Sequence, residues 1–281
     1  MKKIFTLLAL IISFNVNAQV STNSTSPTGI YASAMGNGTT ASGNESTAMG
    51  YDTTASGEAS TAMGYSTTAS AQSSTAIGRS TTASGTNSTA MGNGSTASGT
   101  NSTALGRVTV ASDYASLVIG HYNSTGSSAT SANSFSTSAP AFVIGNGADA
   151  SNKSDAFKVM FNGDATVSND LTVSGDVNIS SDARLKSNIV SLGYTLTKLL
   201  QIDGKSYEMK GKQKIGVLAQ EIQKVFPELV SEDDNEMLAV NYQGLVPVLI
   251  NALKEQQNEI NRLKDQEKRI ERLEKLVAKL D

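Results

Sequence analysis

A large aliphatic side chain recurs every 14 residues through the first half of the chain, at Met35, Met49, Met63, Ile77, Met91, Leu105 and Ile119, each followed by a glycine. Half a period later stand Ala41, Ala55, Ala69, Ala83, Ala97 and Ala111, each followed by a serine. A unit this short cannot bury a core by itself and must stack on its neighbours, which excludes an ordinary globular domain over this stretch. One large and one small apolar residue per unit suit a narrow β-solenoid with the large residues facing inward. The glycines suit tight corners where φ is positive. Tracts rich in Gly, Ser and Thr are often flexible linkers, because they bury too little apolar surface to offset chain entropy. A linker has no reason to keep Met, Ile or Leu in register over seven units.

The flanks of the repeat differ from it. Residues 1–18 carry Lys2 and Lys3, an apolar run from Ile4 to Ile12, and the small-residue ending Val16-Asn17-Ala18. That is the pattern of a secretory signal peptide, and its apolar run is too short to span a membrane. The expectation is an exported chain, surface or extracellular, whose mature form begins near Gln19 and has no membrane span. After the repeat, the Ser/Thr/Asn/Ala stretch between Tyr122 and Pro140 reads as a loop or insertion. Strands are expected at Ala141–Gly145 and Ala156–Phe161, with Asn162-Gly163-Asp164 turning the chain. Leu171, Val173, Val177 and Ile179 nearly alternate with polar residues, as in the strand-rich neck of a fibre.

At Ser180-Ser181-Asp182-Ala183-Arg184-Leu185-Lys186 the chain changes character. Residues 19–180 hold 4 basic and 9 acidic side chains, whereas residues 181–281 hold 16 of each. The division expected is therefore 1–18 signal peptide, 19–121 repeat head, 122–180 strand-rich neck and 181–281 C-terminal domain. In that domain, Leu192 to Ile202 has helical spacing, Lys205–Met209 and Lys214–Val217 read as strands, and Ala219–Phe226 as a helix stopped by Pro227. A turn at Asp233-Asp234-Asn235 leads to a strand ending near Val240, and a helix from Gln243 runs to the end with a possible bend at Pro247. Placing Leu249, Gln256, Leu263, Ile270 and Val277 at heptad position a puts Ala252, Glu259, Gln266, Leu273 and Leu280 at d. That is a coiled coil with a polar centre, and it does not separate a dimer from a trimer.

A hydroxyl is a poor nucleophile until a neighbour takes its proton, so Ser181 with Lys186 five residues on is a candidate nucleophile and general base. In a serine-rich chain the same spacing also fits Lys186 pairing with Asp182 while Ser181 caps a turn. Other chemistry is narrowed by composition. With no Cys there is no disulfide framework or thiol site, and with His121 as the single histidine, read as a solvated loop residue, a His-based catalytic or metal site is not expected. No cofactor and no metal are expected. A net charge of −3 without a basic cluster excludes nucleic acid as the partner.

The sequence is similar to two known families. The blocks Ser181-Asp182-Ala183-Arg184-Leu185-Lys186-Ser187-Asn188-Ile189, Ile215-Gly216-Val217-Leu218-Ala219-Gln220-Glu221 with Phe226-Pro227-Glu228-Leu229-Val230, and Val240-Asn241-Tyr242 before the long helix resemble the peptidase S74 family, the intramolecular chaperone domains of phage endosialidases and tailspikes. That resemblance implies a homotrimer that cuts itself between Ser180 and Ser181, with Ser181 as nucleophile and Lys186 as base. The units Ser46-Thr47-Ala48-Met49-Gly50 and Ser60-Thr61-Ala62-Met63-Gly64 resemble YadA-type trimeric adhesin heads, over about Ala32 to Gly120. That one implies a parallel β-roll in which three chains share a core, with a surface or matrix ligand that no residue identifies. The fold class expected is thus a mainly β trimeric parallel β-roll, a β-rich neck and an α+β chaperone domain ending in a coiled-coil helix. Two functions stay open: a secreted fibre that cuts its own backbone, and a fibre whose C-terminal domain trimerises without cutting. A glycan-cleaving tailspike is disfavoured because Glu45, Asp52 and Glu58 are scattered, and a full trimeric autotransporter because the helix after Tyr242 is too polar to supply outer-membrane strands.

Overall fold

The computed structural model describes residues 23–126, 128–233 and 236–279. The signal peptide expected at 1–18 lies outside them, as do Asp234 and Asn235 of the expected turn and Leu280 of the heptads. The chain forms two compact units, one ending at Val177 and one beginning at Asn178.

The first unit is a parallel β-solenoid of about seven coils, as the period requires. Five-residue strands from Ser33–Asn37 to Leu117–His121 stack in a ten-stranded sheet, and two-residue strands from Ser26–Pro27 to Val110–Ala111 stack in a seven-stranded one. Register is strict: Met49 lies beside Met63, Met63 beside Ile77, and each glycine beside the next. Side chains alternate across a strand, so one residue of each pair faces in and its neighbour faces out. The inward residue is alanine. Ala48, Ala62, Ala76, Ala90 and Ala104 in the long strands, with Ala41, Ala55, Ala69, Ala83, Ala97 and Ala111 in the short ones, are 0% exposed and form one continuous core.

This corrects the expectation that Met35, Met49, Met63, Ile77, Met91, Leu105 and Ile119 face inward. They stand on the opposite face of the ten-stranded sheet, with Met35 and Met91 exposed and Met63 half-buried. Through the repeated coils the interior is filled by methyl groups and hydroxyls, with valine entering only at the last coil: Ser46, Thr53, Ser60, Thr67 and Ser74 sit two residues before the alanines and are also fully buried. The core period is therefore seven, a Ser/Thr-x-Ala unit used twice per coil.

Corners obey the same half-period. Positive φ recurs every seventh residue, at Glu45, Asp52, Ala59, Ser66, Ser73, Ser80 and onward to Tyr122. Glycine is essential elsewhere: Gly64, at φ +124, lies so close to the next coil that a Cβ would come within 1.9 Å of the Gly78 carbonyl oxygen. One corner is poorly matched to its residue, because Val108 holds φ 53 with a β-branched side chain. Val108→Asn removes that strain and is expected to raise the stability of the roll by roughly 1 kcal/mol, read as a higher melting temperature.

The stretch after Tyr122 does form an insertion, and it covers the end of the shorter sheet. The Asn123 side chain mimics a further strand, its Oδ1 accepting from Val110 N (2.8 Å) and its Nδ2 donating to Val110 O (3.0 Å). Asp113 Oδ1 accepts from the backbone N–H groups of Thr130 and Ser131, each at 2.6 Å. An exposed sheet edge invites pairing with other chains, and this insertion closes it. The strand Pro140–Asn146 then pairs parallel with Leu117–His121, Ile144 beside Ile119, and Val143 joins the alanine core. It is followed by an antiparallel hairpin, Asp155–Met160 with Ala165–Val167, turned at Asn162-Gly163-Asp164 as expected. His121 is not a solvated loop residue: it ends a strand, with Nδ1 2.6 Å from Gly147 O and Nε2 2.9 Å from Arg107 Nη1. Leu171, Val173, Val177 and Ile179 lie in no strand and are exposed.

In the second unit Ile222, Val225, Phe226 and Val248 are buried, with Leu199, Ile202, Leu229 and Val240 packed around them. Two antiparallel hairpins, Lys205–Met209 with Lys212–Gly216 and Val230–Glu232 with Leu238–Val240, flank the helix Ala219–Val225. The expected helix from Leu192 shrinks to Leu196–Leu199. Its start is capped from afar, since Glu255 accepts from Thr195 N (2.6 Å), Thr195 Oγ1 (3.0 Å) and Leu196 N (3.2 Å). The long helix runs Leu245–Val277, and Pro247 falls in its first turn, where a missing N–H costs nothing. Ala252 is buried in the chain's own core, so heptad position d is not free for a partner helix there, whereas Leu249, Leu253, Leu263, Ile270, Leu273 and Val277 are exposed.

The backbone N–H of Thr195, helped by that of Leu196 and by the Thr195 hydroxyl, holds the Glu255 carboxyl below its ordinary value of 4.5 against the opposing effect of burial. A lowered folded-state pKa stabilises above the unfolded value, and the contribution is lost as pH falls through the folded one. Glu255→Gln is therefore expected to lower the melting temperature of this unit at neutral pH and to flatten its fall below about pH 4.5, which melting curves over pH 2–7 would measure.

Candidate functional site

The residues singled out around Ser181 lie in the second unit, beside a single 3-10 turn, Ala183–Leu185. Asp182 starts it: its backbone is extended at φ −62 and ψ 134, and its Oδ1 accepts from Arg184 N at 2.9 Å, the usual device for satisfying an orphan N–H. Leu185 N and Lys186 N donate to the carbonyls of Asp182 and Ala183, each at 3.1 Å, and close the turn. At Lys186 the chain is extended again, φ −120 and ψ 144. This out-and-back path returns the lysine side chain to the serine before the turn: Lys186 Nζ donates to Ser181 Oγ at 2.8 Å.

That distance suits proton transfer between a hydroxyl and an amine. The alternative local pairing does not occur. Asp182 engages Arg184, with Nη2 to Oδ2 at 2.7 Å and Nε to Oδ1 at 3.0 Å, and among the described residues no carboxylate lies within ion-pair distance of Lys186. Nor does Ser181 cap the turn; Asp182 does. The Arg184 guanidinium first, and the Arg184 backbone N–H second, hold the Asp182 carboxyl below the usual carboxylate range, while Asp182 raises Arg184. A positive charge beside Lys186 would help it lose its proton, and Arg184 is near in sequence, but its guanidinium is committed to Asp182. Ser180, Ser181 and Lys186 are all exposed in the single chain. Among the described residues no group of His, Asp or Glu side chains is arranged to hold a metal ion.

Residues 181–231 match the peptidase S74 model, described as the chaperone of endosialidase. Both resemblances hold. The YadA head domain repeat matches at 28–53, 55–81 and 83–108, which are coils of the solenoid. The chaperone match begins at Ser181, contains Lys186, and ends before the hairpin strand Leu238–Val240 and the long helix. No match was found among the curated proteins. The chain thus joins a YadA-like head to a chaperone-of-endosialidase segment. No helix among the described residues is long and apolar enough to cross a membrane.

Proposed function

We propose that the chain is an exported, homotrimeric surface fibre that cuts its own backbone between Ser180 and Ser181. The division that goes with this reading is a signal peptide at 1–18, a head at 19–121, a neck at 122–180 and a self-cleaving chaperone at 181–281. The observation that carries it is the 2.8 Å bond from Lys186 Nζ to Ser181 Oγ, one residue beyond Ser180, at the start of the chaperone match. In the reaction Ser181 Oγ attacks the carbonyl carbon of Ser180 while Lys186 takes its proton. The C–N bond breaks, leaving a Ser180 ester on Oγ and a free amine at Ser181, which takes up a proton. Water then hydrolyses the ester, giving a new carboxylate at Ser180 and restoring the hydroxyl. Self-association is supported by apolar surface that one chain leaves open: the Met/Ile/Leu row of the roll, Leu171, Val177 and Ile179 of the neck, and the Leu263 to Val277 face of the helix.

An ordinary lysine is protonated at neutral pH and becomes a base only when water is removed from it or positive charge is placed near it. Lys186 is exposed in one chain, so the proposal requires that trimer packing bury it and thereby switch the cut on. The same exposure favours a second reading, a fibre whose C-terminal segment trimerises without cutting. The head binds a surface or matrix partner, and cleavage of an outside substrate is not part of either reading. Refolding the full-length Ser181→Ala chain beside wild type, with samples taken for sedimentation and denaturing gels, separates the two. Cutting of wild type that follows trimer formation supports the first reading; wild-type trimers that stay uncut establish the second.

A further inference from the structure

Besides its two backbone hydrogen bonds, the turn that joins the two members of the dyad has one side-chain cap, and that carboxylate accepts from three donors. Asp182 receives Arg184 N (2.9 Å), Arg184 Nε (3.0 Å) and Arg184 Nη2 (2.7 Å). The ion pair is largely solvated, with the Arg184 side chain 87% exposed, so it contributes little to folding. Its consequences are geometric. Lys186 reaches Ser181 only because the chain reverses over Ala183–Leu185, and Asp182 supplies the side-chain cap of that reversal. Asp182 is also the carboxylate nearest in sequence to Ser181, and Arg184 occupies both of its oxygens. A carboxylate left free beside Ser181 would compete with the hydroxyl for the lysine ammonium.

We propose that Asp182 and Arg184 are positioning residues for the cut: Asp182 caps the turn that returns Lys186 to Ser181, and Arg184 keeps the Asp182 carboxylate off Lys186. This rests on the self-cleavage reading above. The two halves of the device have different signatures. Loss of the cap misplaces the dyad at every pH, and a displacement of about 1 Å is enough to slow such a step on the order of a hundredfold. Loss of Arg184 leaves Asp182 free to pair with Lys186, which favours the protonated amine and moves the rate profile toward higher pH. The charged groups on the turn itself are Asp182 and Arg184, paired with each other, and among the described residues no carboxylate lies within ion-pair distance of Lys186.

The test measures cleavage rate against pH in the full-length chain, with sedimentation to show that each variant reaches the same assembly as wild type. Asp182→Ala is expected to cut about a hundredfold more slowly across the profile. Asp182→Asn, which keeps an oxygen for Arg184 N, is expected to fall between Asp182→Ala and wild type. Arg184→Ala is expected to need higher pH, and combining it with Asp182→Asn is expected to remove that alkaline shift. Assembled Asp182→Ala cutting at the wild-type rate, or an Arg184→Ala profile that does not move, overturns the proposal while self-cleavage stands. A wild type that assembles and never cuts overturns the self-cleavage reading, and the positioning role with it. Should Asp182→Ala fail to assemble, Asp182→Asn and Arg184→Ala decide the matter by the same profile.

Discussion

Ala62→Asp is expected to abolish the cooperative melting of the roll, whereas Met63→Asp combined with Ile77→Asp leaves each chain's β-structure intact and weakens association. The two sets of positions are neighbours in sequence, and their environments are opposite. Ala62 is 0% exposed in a core made of alanine methyls, where a carboxylate has neither water nor a partner. Even after relaxation, burying an unpaired ion costs several kcal/mol, and each coil depends on its neighbours, so the defect spreads along the stack. Met63 and Ile77 share a row on the outer face, in register at adjacent strands, where the single chain leaves them partly open to solvent. Charge there stays solvated in one chain and would be buried only by copies packing on that face, as the proposed trimer requires. Circular dichroism melting with sedimentation velocity separates the outcomes; loss of β-structure in the Met63 and Ile77 double variant would show that the row belongs to the folding core of each chain.

The same pair of positions shows how far the sequence could be read. The 14-residue period and the glycines announce stacked coils, because only a repeat architecture keeps such a register. What the spacing conceals is which face points inward. Size suggests that Met63 is the core residue, since burial is usually driven by large apolar side chains. The interior of this narrow coil admits only Ala62 and hydroxyls such as Ser60, and the signal for it was the Ser/Thr-x-Ala unit recurring every seven residues. The insertion after Tyr122 was legible as a break in period, but its use of Asn123 as a surrogate strand depends on the geometry of Val110 and could not be read from composition. Helical spacing from Leu192 overstated a helix of four residues, whose start is fixed by Glu255, 60 positions away.

At the candidate site, the Ser181 and Lys186 pairing was visible in the motif. The partner of Asp182 was not, because a carboxylate two residues from an arginine and four from a lysine can choose either. The structure gives it to Arg184 and leaves Lys186 with Ser181. If that pair performs the cut, Ser181→Ala removes the nucleophile and Lys186→Ala removes the proton acceptor. Lys186→Arg fails as well, since a guanidinium keeps its proton at any pH a protein survives. All three are expected to give uncut chains in wild-type assemblies. Retained cutting in Lys186→Arg would assign the base to another group.

The most direct measurement is the intact mass, under denaturing conditions, of the wild-type protein purified as its folded assembly. The account predicts two pieces in equal amounts, one ending at Ser180 and one spanning Ser181 to the C-terminus, both absent from Ser181→Ala; a single uncut chain in a wild-type trimer would contradict it.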